Sequence, residues 1–402
     1  MKVGYLIPEF PGQTHIWMWR EIAHLRELGV EITIFSTRRP PERDRARHAF
    51  AAAAEAETTY LWPRPWLAVV VALLWALCTR PVGLLRCIGL GLTLPVTPGP
   101  AWRRALPLVL PAIVLARALR RRRIDHVHAQ SAKNSAILCM MARRLAEVRY
   151  SLVVNARLDE WGGALARKFG EAALVVTHAE WLRQEILARF PQLGPERVVR
   201  ATVGVDTRVW TLPERRPAAD GTFRIASVGR LHVNKGFDTL IRAVHELRSR
   251  GHAVSLTIAG EGPARPELEA LIGALELGAH VRLAGSLPEE GVRALLAEAD
   301  LFALISREEA LGVVFMEAMA TGLPVVGPRI GGVGEVVTDG RDGVLVGPSD
   351  LLAAVNAIRE LTEDDGLRRR MGGAARQAAR RRFDARMGAV SLQRAIAAAV
   401  RG

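Results

Sequence analysis

Short unbroken apolar runs alternate along this chain with longer stretches whose apolar residues recur at helical spacing. Val3-Gly-Tyr-Leu-Ile7 is a buried-strand run, closed by a Pro/Gly loop from Pro8 to Gly12. A helical pattern runs from about His15 to Leu28, Gly29 stops it, and Val30 to Ser36 reads as the next strand. Strand, helix and strand in that order predict the first unit of a doubly wound parallel sheet. Strand-like runs recur at 126–128, 151–154 and 173–177, and 198–205 ends this half. Residues 207–221 are polar and Pro-rich, a composition that predicts a linker. The rhythm then restarts, with strands expected at 223–228, 254–259, 281–284, 301–305, 324–326 and 344–346. The expected architecture is α/β, two Rossmann-like domains with parallel sheets facing across a cleft. The expected bounds are 1–206, the linker 207–221, 222–383, and a last helix over 384–402 that crosses back towards the first half.

Residues 61–116 stand apart from this rhythm. Their uncharged runs, 66–79, 87–102 and 105–116, are each shorter than the roughly 18 residues of a spanning helix. Pro95, Pro98, Pro100, Pro107 and Pro111 are expected to break them. Trp62, Trp66, Trp75 and Trp102 bracket the runs beside Arg64, Arg80, Arg86, Arg103 and Arg104. Trp and Arg beside short apolar segments suit an interfacial membrane surface, and the same helices would equally suit capping a domain core.

Composition narrows the classes. The chain has 402 residues, half of them apolar and 24% charged, which fits a folded globular protein with two cores. The net charge of +14 favours an anionic partner: nucleic acid, anionic lipid or a phosphorylated substrate. No aromatic-rich RNA motif, zinc spacing or helix-turn-helix pattern accompanies it, so nucleic acid is not expected. Cys78, Cys87 and Cys139 lie in apolar surroundings without CxxC spacing, and are expected to be buried thiols in a reducing, cytoplasmic compartment. Met1-Lys2 runs straight into an apolar strand, so no signal peptide is expected.

The candidate chemistry sits in the second half. The strand Ala226-Ser-Val228 ends in Gly229-Arg230-Leu-His-Val-Asn-Lys235-Gly236, placing Arg230 and Lys235 on a loop at a strand's C-terminal edge, where open α/β sheets bind ligands. Arg offers phosphate oxygens a planar fork and Lys adds a point charge, so the pair would neutralise a leaving diphosphate. Further on, Glu309-Ala-Leu-Gly-Val-Val-Phe-Met-Glu317 sets two carboxylates eight residues apart across a loop and a helix start. Glu309 would reach sugar hydroxyls, Glu317 a nucleoside ribose, and the helix N-terminus between them a diphosphate. The same two residues would also suit an ordinary acidic helix start. No Asp-x-Asp, HExxH, Ser elbow or P-loop occurs, and Gly331-Gly-Val-Gly334 lacks the strand-adjacent GxGxxG spacing, so neither a metal nor a nicotinamide cofactor is expected.

Together Gly229-Arg-Leu…Lys235-Gly-Phe-Asp, Ile258-Ala-Gly-Glu-Gly-Pro263, Glu309…Glu317-Ala-Met-Ala-Thr-Gly-Leu-Pro, Gly331-Gly-Val-Gly-Glu335 and Asp339-Gly…Gly343-Val-Leu-Val resemble glycosyltransferase family 4, retaining enzymes of the GT-B fold. Tyr5-Leu-Ile-Pro-Glu-Phe-Pro11, Arg20-Glu21-Ile, Phe35-Ser-Thr-Arg38 and Ile124-Asp-His-Val-His128-Ala resemble a subgroup acting in polysaccharide and exopolysaccharide assembly. The resemblance implies that Arg230 and Lys235 contact the donor diphosphate and Glu309 holds donor sugar hydroxyls. It further implies that the backbone of Leu311, Gly312 and Val313 approaches the phosphates and that Glu317 binds the ribose. Gly12 would let the first domain's backbone come close to diphosphate or acceptor. Glu308 adjoins Glu309, and the family register favours Glu309.

The chain departs from the pattern on the acceptor side. Asn155 stands where the family has a His near the reacting sugar, Gln130-Ser131 follows His128-Ala where His-Phe is usual, and Val203 replaces an Asn. Asn155 can donate a hydrogen bond but cannot titrate. His128 and Asp159 are the remaining acceptor candidates, with core or strand-end roles as their alternatives. The expected function is metal-independent, retaining transfer from a nucleotide-diphosphate sugar to a glycan or lipid-linked acceptor, in a cytoplasmic protein that could sit on an anionic membrane face. A nucleotide-sugar epimerase or hydrolase of the same fold, or a non-catalytic nucleotide-sugar binder, are the rivals.

Overall fold

A computed structural model describes residues 1–211 and 220–401. The chain forms two units, Met1–Thr202 with Arg386–Gly402 and Val203–Ala385. Most of the expected linker, 212–219, lies outside the described residues.

The first unit holds seven strands: β1 (Lys2–Glu9), β2 (Glu31–Arg38), β3 (Thr59–Tyr60), β4 (His126–Ala129), β5 (Arg149–Val154), β6 (Leu174–Thr177) and β7 (Val198–Arg200). They pair in parallel in the order β3-β2-β1-β4-β5-β6-β7. The pleat divides its core. Tyr5, Ile7 and Val153 pack with Ile22 and Leu25 of the helix Ile16–Glu27 on one face, while Leu6, Leu152 and Val154 pack with the helices on the other. Leu392 and Ile396 of the last helix, Ala385–Arg401, join the first of these faces. The strand expected over 198–205 stops at Arg200, and the two-residue edge strand β3 has too few apolar residues to show in the pattern.

The second unit holds β8 (Phe223–Val228), β9 (Val254–Ala259), β10 (Val281–Gly285), β11 (Leu301–Ala303), β12 (Val325–Pro328) and β13 (Gly343–Val346). Their order is β10-β9-β8-β11-β12-β13, again parallel. Both sheets are therefore doubly wound. The order reverses between β1 and β4 in the first and between β8 and β11 in the second, so the loops leaving those strands flank each switch point.

The apolar segment folds as the helices Trp66–Thr79, Pro81–Thr93, Ala101–Arg104 and Val109–Arg121. Pro111 does not break the last of these. It lies in the first turn, where a missing N–H has no intrahelical partner to lose. No single helix among the described residues is long and apolar enough to cross a membrane. Cys87 and Cys139 are buried, but Cys78 is exposed, against expectation, because it falls on the outward face of Trp66–Thr79.

Candidate functional site

At the second switch point, the loop leaving β8 runs from Gly229 through a short 3-10 turn, Val233–Lys235, into the helix Phe237–Ser249. The loop leaving β11 runs through Arg307, Glu308 and Glu309 into the helix Val313–Ala320. These loops meet. Lys235 Nζ lies 2.6 Å from Glu309 Oε2, and both side chains are largely enclosed. Asn234 Nδ2 donates to Glu308 at 2.7 Å. The Arg307 N–H donates to the Asn234 carbonyl at 2.8 Å, and its guanidinium grips both Asp238 oxygens at 2.9 and 2.7 Å and the Val233 carbonyl at 2.6 Å. Burial pushes the Asp238 carboxyl up, but the Arg307 guanidinium and backbone hydrogen bonds together outweigh it and hold the carboxyl below the usual carboxylate range. The adjacent acids thus divide: Glu309 faces Lys235, while Glu308 is exposed and ties down the neighbouring loop.

Glycines make this approach possible. Gly236 has φ +63°, and a Cβ there would stand 2.0 Å from the Ile305 carbonyl oxygen. Gly331, in the loop after β12, has φ +52°, and its Cβ would stand 1.8 Å from the Glu309 carbonyl oxygen. Gly332 donates its N–H to the Ala310 carbonyl at 3.0 Å. Three consecutive strand-end loops are thus stacked backbone on backbone around Glu309. Sequence reasoning assigned no role to Arg307, Asp238, Asn234, Gly331 or Gly332. The Gly331-Gly-Val-Gly334 run was a signal for the close backbone approach.

Gly312 caps Val313–Ala320 at φ +82°, with no side-chain cap and no acid in the first turn. Among the described residues no side chain accepts from the N-terminal amides at Leu311, Gly312 and Val313, at the positive end of the helix. Glu317 is half-buried on that helix rather than enclosed. Arg230 is exposed and makes no ion pair among the described residues. Lys235, Glu309 and the helix start are brought together; Arg230 is on the same loop as Lys235, with its side chain in solvent.

In the first unit, Gly12 follows β1 and Asn155 follows β5, both at the sheet's C-terminal edge. The His15 ring packs against Gly12. His15 Nδ1 accepts the Gly12 N–H at 3.1 Å, and a Cβ at Gly12 would stand 2.8 Å from that nitrogen. Burial lowers the His15 pKa to about 4, consistent with a neutral acceptor. Asn155 is half-buried, with no side-chain hydrogen bond among the described residues. Asp159 is exposed beside Arg157 at 3.5 Å.

His128 does not fit an acceptor-contacting role: it is fully buried within β4. Its Nδ1 and His126 Nε2 share the Ser151 hydroxyl at 2.8 and 2.9 Å. That hydroxyl donates to one ring and accepts from the other, so two neutral imidazoles satisfy it. Burial accordingly lowers His128 to about 3 and His126 to about 4. Beside them Tyr5 donates to Glu21, and Gln130 Nε2 donates to Glu21 at 3.1 Å; burial pushes the Glu21 carboxyl up to about 7. Gln130 therefore serves this buried network.

Two doubly wound units, the second with a Lys–Glu pair and an uncapped helix start at its switch point, define a nucleotide-type ligand fold. Residues 209–378 match the family described as glycosyl transferases group 1. The chain is 32% identical over 301 residues to the GDP-mannose-dependent alpha-(1-6)-phosphatidylinositol monomannoside mannosyltransferase of Mycolicibacterium smegmatis, covering 68% of this chain and 78% of that protein. It is 34% identical over 210 residues to the alpha-D-kanosaminyltransferase of Streptomyces kanamyceticus, covering 50% of this chain and 54% of that protein, about half the relative's length. The crystal structure of HepE from Anabaena in complex with UDP-glucose superposes with a TM-score of 0.71 at 19% identity, over 100% of this chain and 99% of that one. The chain belongs to the group 1 glycosyl transferases, glycosyltransferase family 4, and its fold is GT-B.

Proposed function

We propose that this protein transfers a sugar, with retention of anomeric configuration, from a nucleotide-diphosphate sugar to a glycan or lipid-linked acceptor in cell-surface polysaccharide or glycoconjugate synthesis. The observation that carries the reading is the Lys235–Glu309 pair, 2.6 Å apart across the β8/β11 switch point beside an uncapped helix start. Without donor, the two charges neutralise each other. With donor, the diphosphate competes for Lys235 and releases Glu309 to accept hydrogen bonds from sugar hydroxyls. Arg230, Lys235 and the helix amides then face the charge that grows on the leaving diphosphate, and Glu317 faces the ribose. These groups supply positive charge from the chain itself, and the reading is metal-independent. The leaving phosphate, rather than Asn155, takes the acceptor proton. The acceptor is bound by the first unit, with the protein cytoplasmic and peripheral to the membrane. UDP-glucose in HepE and the GDP-mannose dependence of the mycobacterial relative support a nucleoside-diphosphate donor.

The test is nucleotide release measured over a panel of nucleotide sugars, with and without glycan and lipid-linked acceptors. Acceptor-dependent release is expected, and Glu309→Gln should lower it by about 100-fold or more while the thermal transition stays in place. Full activity in that variant overturns the site. Release with donor alone would point to a hydrolase or epimerase, and donor binding without turnover on any acceptor to a non-catalytic binder.

A further inference from the structure

The helices Trp66–Thr79 and Pro81–Thr93 pack one side on the core and expose large apolar residues on the other. The first buries Ala72 and Ala76 and turns Trp66, Leu67, Leu74 and Leu77 outward, with Trp66 75% exposed. The second buries Gly83, Leu84, Cys87, Leu90 and Gly91 and turns Val82, Leu85 and Leu92 outward, with Leu85 68% exposed. The glycines account for the choice of face. A Cβ at Gly83 would stand 2.5 Å from the Arg144 carbonyl oxygen, and one at Gly91 2.9 Å from Leu106 Cα. Glycine is therefore required at these two inner positions, Leu84 and Leu90 fill the rest of that face, and a second set of large apolar residues is left outside. Contiguous exposure of this kind marks an interaction surface.

Charge identifies what covers it. From Thr58 to Ile124 the chain has ten Arg in 67 residues and no Asp, Glu or Lys. Arg86, Arg103 and Arg104 are exposed without an ion-pair partner among the described residues, and the Arg103 guanidinium lies 5.3 Å over the ring of exposed Trp102. A second copy of this face would set Arg against Arg with no acid to compensate. Lipid phosphates complement it, and Trp with Arg suits the headgroup level. The two helices meet at a bend of 113°, which suits lying along an interface.

We propose that this face docks on an anionic bilayer surface, its apolar side chains in the acyl boundary and its arginines among the headgroups. The proposal deepens the peripheral placement proposed above by naming the surface and the lipid charge it meets, and vesicle binding tests it without donor or acceptor, separately from transfer. The full chain is sedimented with phosphatidylcholine vesicles with and without phosphatidylglycerol. Binding is expected to need phosphatidylglycerol and to weaken with salt. The Trp66→Ser/Leu85→Ser variant should bind about tenfold or more weakly with an unchanged thermal transition, since both side chains are exposed. The R86Q/R103Q/R104Q variant should lose the preference for phosphatidylglycerol. Wild-type protein that stays in the supernatant at low salt overturns the proposal. So does unchanged binding by the apolar variant, which would leave only the general +14 charge. A dimer that the apolar variant dissociates, without vesicle binding, would make the face a self-interface and also overturn it.

Discussion

At the scale of single residues, the second unit shows how little freedom the site leaves. Gly236 combines positive φ with a close backbone approach, so Gly236→Ala should cost about 2–4 kcal/mol, lowering the thermal transition of its unit by roughly 5–15 °C. A transition within a degree of wild type would show that the loops can part without loss. Glu21 gives a prediction in pH. Its carboxyl is raised from 4.5 to about 7, so between those values the folded state keeps a proton that the unfolded chain releases. Its contribution is therefore complete below about pH 4.5 and is lost as pH rises through 7, on the order of 3 kcal/mol. His15, His126, His128 and His178 have the opposite sign. Burial lowers each below 6.5, so their contribution is present above 6.5 and lost as pH falls towards 4. Glu21→Gln should raise the thermal transition at pH 8 and leave it unchanged near pH 4.5, where the native carboxyl is already neutral. A difference that stays constant with pH would contradict the buried, protonated carboxyl.

At the scale of elements, the donor loops act as one piece. Arg307 is the clasp: its fork takes both Asp238 oxygens and the Val233 carbonyl, tying the loop of Glu309 to that of Lys235. Arg307→Lys keeps the charge but loses the planar fork, and should raise the donor KM several-fold with a small change in kcat, since Arg307 positions the loops and is not placed on the reacting atoms. A purely structural role would lower stability and leave KM in place. These relations also mark where sequence reading stopped. The strands, their parallel winding and the position of Lys235 and Glu309 on strand-end loops were legible because local periodicity and the loop after a strand encode them. The Arg307–Asp238 clasp and the Gly331 contact with Glu309 depend on which strands become neighbours, and no local pattern states that. In the sequence His128 stays open between acceptor contact and a core role for the same reason: polar residues at a strand end look available until β1, β5 and the helix Ile16–Glu27 close over them.

At the scale of the whole molecule, the chain leaves the first unit at Thr202 and returns to it at Arg386, so its last helix belongs to the core that its first strand began. Ala389, Leu392 and Ile396 are buried with Val3, Tyr5 and Ile7, and Gln393 donates to the Leu28 carbonyl at 3.2 Å. Gly388 seats the helix, since a Cβ there would stand 2.0 Å from the Thr202 carbonyl oxygen. Burying a Leu or Ile side chain is worth about 1.5–3 kcal/mol, so losing these two alone would remove a large part of a domain's net stability. Deletion of 386–402 should therefore lower or abolish the thermal transition of the first unit and leave that of the second, with donor-nucleotide binding, near its wild-type value. Calorimetry of the truncated chain with and without nucleotide separates the two: a ligand-shifted transition should survive, and a ligand-indifferent one should move. Equal losses in both transitions would mean that the helix supports the molecule as a single cooperative body, and that the division of the chain into two separately stable cores does not hold in solution.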